Sequence, residues 1–130
     1  LMSDFQLDYI KYRVEKSNQA YKDAVILFEN DSWNACVNRL YYSCYYVVSA
    51  VLQKNGVMTQ THSGLKSQFN LHFVKTGLIS IEFGKLFSDL MDWRQKGDYG
   101  DMYDFNKESV EPLLVPVKEF IQNLKEIIER

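Results

Sequence analysis

Two histidines, two cysteines and two prolines are all that 130 residues offer of the types that most often mark a metal, a disulfide or a sharp break. His62 and His72 have no cysteine or carboxylate at ligand spacing, so there is no zinc signature. Cys36 and Cys44 fall on one candidate helix, roughly 12 Å apart along its axis at about 1.5 Å per residue, too far to bridge. They read as buried free thiols of a reducing compartment. No apolar run approaches the ~20 residues of a membrane span, and no signal-peptide pattern opens the chain, so the cytoplasm is the expected location. Positive charge is not in excess either. Fifteen Lys and Arg face 17 Asp and Glu, and a net charge of −2 gives no overall basic footprint for nucleic acid. Nucleophile elbow, P-loop and dinucleotide fingerprint are all missing. Most familiar enzyme classes lose support, and neither metal nor cofactor is expected.

What the chain does have is helical periodicity. An apolar fraction of 46% and a charged fraction of 25% suit one globular domain over residues 1–130. A chain of this length buries about two-thirds of its unfolded surface and needs no staple. Residues 4–29 space Tyr9, Tyr12, Val14, Ala20, Tyr21, Ala24, Val25, Leu27 and Phe28 at mostly three to four positions. Asp31 or Ser32 can cap a second helix over 32–54, which is apolar nearly all round and belongs at the centre of a bundle or at an interface. Gly56 ends it. A third helix is expected over 63–75, stopping at Gly77. A fourth, capped by Ser80, runs over 81–96 with Ile81, Phe83, Leu86, Phe87, Leu90, Met91 and Trp93 as its core face. The last starts near Asn106 or Ser109, with Pro112 tolerable and Pro116 expected to kink or delay it. The prediction is an all-α, up-and-down bundle of about five helices.

Two arginines carry the functional question. Arg39 shares a helix face with Tyr42 and Tyr46, three and seven positions on. Its guanidinium wants a carboxylate or a phosphate, so it either pairs with an acid on a neighbouring helix or belongs to a ligand site. Arg94 sits where the fourth helix should end, in "MDWRQKGDYGDMYDF", with Asp98 and Tyr99 close behind and Gly97 able to break the helix. A local Arg94–Asp98 pair is one reading, worth under about 1 kcal/mol if exposed. A polar site is the other. His62 reads as a helix-start residue and His72 as a hydrogen-bonded core histidine.

Three stretches in order resemble the HEPN family: "NRLYYSCYYVVSAVL", "THSGLKSQFNLHFVKTG" and "RQKGDYGD". The likeness spans residues 5–128 and is to the small single-domain bacterial and archaeal members. It implies an α-helical bundle that dimerises, often beside a minimal nucleotidyltransferase in a toxin–antitoxin pair. Active members are metal-independent ribonucleases whose arginine is followed, four to six residues on, by a histidine. This sequence departs there. Tyr99 stands at that position after Arg94, and Tyr46 stands seventh after Arg39, where relatives often have histidine. An ordinary histidine near pKa 6.5 is a usable base at neutral pH. An ordinary tyrosine near 10 would have to be brought down by about three pH units, at a cost of roughly 4 kcal/mol.

The resemblance therefore implies, first, a HEPN partner of a nucleotidyltransferase that binds nucleotide or RNA at Arg39, Tyr42, Tyr46, Arg94 and Asp98, with weak or no cleavage. Tyr99 and Tyr103 are then candidate adenylylation sites. The second reading is an active ribonuclease toxin with Arg94 and Tyr99 as the working pair, helped by Arg39 or His72. The third is a non-catalytic helical interaction module. A homodimer is expected because the second helix carries more aromatic surface than one small bundle should hide.

Overall fold

The structure is a computed structural model that describes residues 2–130, and it is all-α. Helix α1 (Asp4–Glu29) opens on a capping box: the Gln6 backbone N–H donates to Ser3 Oγ, and the Ser3 N–H donates to Gln6 Oε1. Helix α2 is Trp33–Lys54 and α3 is His62–Phe69, the latter continued by a π-helical turn, Asn70–Val74. Helix α4 is Ile81–Tyr99, with the Phe83 N–H donating to Ser80 Oγ at 3.1 Å. A short α5 (Lys107–Val110) runs through a 3₁₀ turn, Glu111–Leu113, into α6 (Leu114–Glu129). Counting that last run as one segment, five helical segments make the bundle.

Helix α2 occupies the centre and packs on α1, α3, α4, α5 and α6. Its contact with α1 is close because small side chains line it. Ser17, Ala20 and Ala24 on α1 are buried, and Ser17 Oγ donates to the Ser43 carbonyl at 2.6 Å. Cys36 and Cys44 are buried and free in that interior. Burial pushes the Cys36 thiol up to about 11 and the Cys44 thiol also upward, so neither is a reactive thiolate. Phe69, Phe73, Phe87 and Phe120 form the aromatic core, and Phe87 stacks on Tyr41 at 5.8 Å. The core thus runs directly up to the tyrosines of α2.

Several local expectations change. Asp31 does not cap α2 but lies in the left-handed region at φ 60°, closing α1 with Ser32 N–H to Leu27 O and Asp31 N–H to Phe28 O. Ser32 is the N-cap residue of α2, yet its side chain makes no capping bond. Helix α4 passes through Gly97 and stops at Gly100, where a Cβ would lie 2.5 Å from the Lys96 carbonyl oxygen. Ile81 is exposed rather than core, being in the first turn before α4 meets the bundle. Pro116 is the third residue of α6, where the missing N–H would have no helical partner, so the helix is delayed and not broken. His72 is exposed, with Nε2 on Gln68 Oε1 at 3.0 Å; the π turn carries it off the face that buries Phe69 and Phe73.

Asp31→Gly removes the Cβ from a left-handed position and should raise the unfolding free energy by up to about 1 kcal/mol, while Asp31→Val should lower it. Urea midpoints at unchanged m-value check both.

Candidate functional site

Tyr41, Tyr42, Tyr45 and Tyr46 of α2 form a ladder of rings. Neighbouring centroids are 5.0 Å apart for Tyr41–Tyr42, 5.6 Å for Tyr42–Tyr45, 5.7 Å for Tyr45–Tyr46 and 5.9 Å for Tyr42–Tyr46. Tyr41 is fully buried and the others are half-buried, so the fold itself covers much of the aromatic surface of α2. A surplus of aromatic surface on this helix is therefore no ground for a dimer.

Both arginines singled out in the sequence meet this ladder. The Arg39 Cζ lies 5.1 Å from the Tyr42 ring centroid, and the Arg94 Cζ lies 5.7 Å from the same ring and 4.9 Å from that of Tyr41. Two segments thus bring two guanidinium groups to one aromatic surface. Arg94 is only 9% exposed, and its Nε has no hydrogen-bond partner. Among the described residues the ion pairs are Lys85–Asp89 and Lys107–Glu111, so neither arginine is matched to a carboxylate. The local Arg94–Asp98 pair is not made. Asp98 instead accepts from Asn38 Nδ2 at 2.9 Å, while Asn38 Oδ1 accepts from Arg39 Nε at 2.9 Å. Asn38 therefore spaces the acid from the guanidinium.

The structure adds His62, which sequence spacing did not connect with either arginine. Thr61 caps α3, with the Gly64 N–H on its Oγ1 at 2.9 Å, and this sets His62 at the first helical position. Its Nδ1 is 2.5 Å from Tyr41 Oη, and its ring lies 4.7 Å from Tyr45 and 5.9 Å from Tyr42. Burial raises the Tyr41 pKa, with the Arg94 charge opposing it, so the phenol keeps its proton. That hydroxyl has no other acceptor among the described residues. It donates to Nδ1 and leaves the ring proton of neutral His62 on Nε2. Burial, and secondly the charge of Arg94, hold the His62 pKa below its usual value.

Tyr99 and Tyr103 lie outside the ladder. Tyr99, the last residue of α4, is 75% exposed, and among the described residues no ring or cation contact joins it to the ladder. Tyr103 packs edge-on against Phe105 at 5.1 Å, and the Lys96 Nζ lies 6.0 Å from the Tyr103 ring centroid. Asn34 holds this loop: its Nδ2 donates to Tyr103 O at 3.0 Å, and its Oδ1 accepts the Phe105 N–H at 2.8 Å. Gly97 eases that approach, since a Cβ there would lie a tight 3.0 Å from Phe105 Cε2. Chemically, the assembled site offers two cations, a neutral imidazole N–H and phenol faces. It suits holding an anion beside an aromatic base. Among the described residues no group of three His, Cys, Asp or Glu could hold a metal ion, and no helix is long and apolar enough to cross a membrane.

The family model described as HEPN domain matches residues 10–127. A protein of Thermotoga maritima named "UPF0332 protein" is 34% identical over 92% of this chain and 91% of its own length. Two proteins of Methanocaldococcus jannaschii carry the names "Putative toxin MJ0142" and "Putative toxin MJ0605". They are 27% and 26% identical, covering 88% and 92% of this chain and 78% and 89% of their own.

The lowered His62 pKa has a defined sign. Unfolding lets the imidazole return to its ordinary pKa near 6.5 and take up a proton. The contribution of His62 to stability is therefore full above that value and is lost as pH falls below it toward the folded pKa. Chemical denaturation at several pH values should show this decline, and His62→Gln should flatten it. Nitrogen chemical shifts of the imidazole should report the Nε2–H form, and Tyr41→Phe should allow both tautomers.

Proposed function

The chain belongs to the HEPN domain family, and from this premise we propose that it is the HEPN component of a toxin–antitoxin system. In this reading its Arg39–Arg94 site holds the phosphate of a nucleotide or of RNA with little or no cleavage. One observation carries the proposal: Arg94 is buried on tyrosine rings with an unpaired Nε and no carboxylate. A buried, unmatched cation is costly, and a guanidinium held without a protein counter-ion is suited to an external anion. The names of two relatives as putative toxins point the same way.

A partner nucleotidyltransferase belongs to the proposal, with Tyr99 as the adenylyl acceptor. Exposure recommends Tyr99 over Tyr103, because a second enzyme must reach the phenol. In that step the phenol oxygen attacks the α-phosphorus of ATP, pyrophosphate leaves, and the phenol proton passes to solvent. The homodimer is retained in the proposal, though not on the aromatic face of α2, whose rings are already half-buried or buried. Sedimentation as a monomer at micromolar concentration would remove it.

One observation favours a second reading, a slow ribonuclease. His62 brings an imidazole to the arginines that the linear motif lacks. Against it stands the engagement of Nδ1 by Tyr41, which leaves the free nitrogen protonated and unable to act as a base without a tautomer change.

Arg94→Met should leave unfolding free energy at or above the wild-type value while weakening phosphate ligands ten- to a hundredfold, about 1.5–3 kcal/mol. Calorimetric titration with AMP and gel analysis of incubated RNA check it. Retained affinity would defeat the proposal, and cleavage that stops in His62→Ala would favour the ribonuclease. With the neighbouring transferase and labelled ATP, label should enter the protein and be lost in Tyr99→Phe but not in Tyr103→Phe.

A further inference from the structure

We propose that Arg13, seated between Tyr9 and Tyr46, is a second phosphate-holding position beside the Arg39–Arg94 site, so that this face takes a strand of RNA across successive phosphates rather than a lone nucleotide. The inference rests on the reading of Arg39 and Arg94 as an anion site and extends it along the same ring ladder.

The geometry repeats at both positions. The Arg13 Cζ lies 5.0 Å from the Tyr9 ring and 5.5 Å from the Tyr46 ring. Its Nε donates to Tyr9 Oη at 2.9 Å, which fixes the plane of the fork. The terminal Nη groups have no acceptor among the described residues. Tyr46, which Arg13 overlies, has its ring 5.9 Å from that of Tyr42, which Arg39 and Arg94 overlie. One step along the ladder therefore leads from the first cation site to the second.

Charge matching makes the arrangement more than packing. The sequence has four arginines, Arg13, Arg39, Arg94 and the terminal Arg130. The first three all lie over tyrosine rings at this face, and none is paired with a carboxylate among the described residues. In a chain with more acids than bases, matching three guanidinium groups to carboxylates would have been easy. Their shared avoidance leaves forks free to hold phosphate oxygens, with phenol faces between them on which bases can stack. Beside Arg13, a cavity of about 30 Å³, room for about one water, is lined by Tyr45, Ser49 and the nearly buried Gln53. It is too small for a base, so a strand here would lie along the surface and not enter the bundle.

The test compares AMP with an oligoadenylate of about six nucleotides, measuring affinity over a range of salt for wild type, Arg13→Gln, Arg13→Lys and Arg94→Met. Arg13→Gln should weaken the oligonucleotide several-fold and make its salt slope shallower by about 0.7, the contribution of one single-strand phosphate contact. AMP affinity should not change, and Arg13→Lys should keep the slope. Equal losses for AMP and oligonucleotide, or an unchanged slope in Arg13→Gln, would overturn the inference. If Arg94→Met left both ligands bound as tightly as wild type, the Arg39–Arg94 reading would fail, whatever Arg13 did.

Discussion

The contact between guanidinium groups and the tyrosine rings of α2 is the interaction on which the rest depends. A cation over a ring gains about 0.5–2 kcal/mol, more as water is removed. That is less than burying an arginine costs, so the rings alone do not account for Arg94. They do orient it. Tyr41 is held by the core through Phe87, Tyr42 is held by Tyr41 and Tyr45, and Arg94 lies against the first two of these. The hydrophobic core thus fixes the direction of a charge whose full compensation the protein does not provide. On the proposed reading, a site oriented but uncompensated in this way would be prepared for an anion in advance.

Asn38 and Asn34 show how acids are kept from cancelling that preparation. Asp98 is close in sequence to Arg94 and close in space to Arg39, and a direct pair with either would neutralise the site. Asn38 takes up Asp98 with its amide N–H and offers its carbonyl to Arg39. The acid is thereby satisfied without an ion pair. Asn34, one helical turn earlier, ties down the loop that carries Asp104, Tyr103 and Phe105. Two asparagines on one face of α2 thus hold the acidic segment beside the arginines while leaving the guanidinium forks open.

Which parts of this were legible in the sequence follows from the range of each interaction. Helix existence, the central place of α2 and the shared face of Arg39, Tyr42 and Tyr46 are short-range consequences of a 3.6-residue period. The burial of Arg94 was also written there: it follows Phe87 by seven positions and Leu90 by four, on the face that buries both. A helix ending at residue 96 puts Arg94 in its last turn, whereas α4 continues to Tyr99. His62 could not be found this way, because its meeting with Tyr41 depends on how the loop after Gly56 returns over α2. The π turn was equally hidden. Residues 70–74 keep ordinary helical character, and an added residue per turn is a tertiary accommodation that rotates His72 outward.

The absence of a motif histidine therefore has a narrower meaning than the linear sequence suggests. An imidazole is present near the arginines, but the phenol that positions it also fixes its proton. With Tyr41 donating to Nδ1, the other ring nitrogen of His62 is a hydrogen-bond donor, and burial with the nearby Arg94 charge opposes a second proton. An arriving phosphate would reverse the electrostatic part of that balance, because its negative charge offsets Arg94 and favours imidazolium. In the proposed reading a bound anion would favour the charged form electrostatically, while a second proton on Nδ1 would cost the Tyr41 hydroxyl its acceptor. Abstraction of a 2′-hydroxyl proton is not helped by it, because an imidazolium has no lone pair to offer. If the site takes RNA as proposed, the hydrogen bond that positions His62 works against its use as a base and favours holding the strand over cutting it.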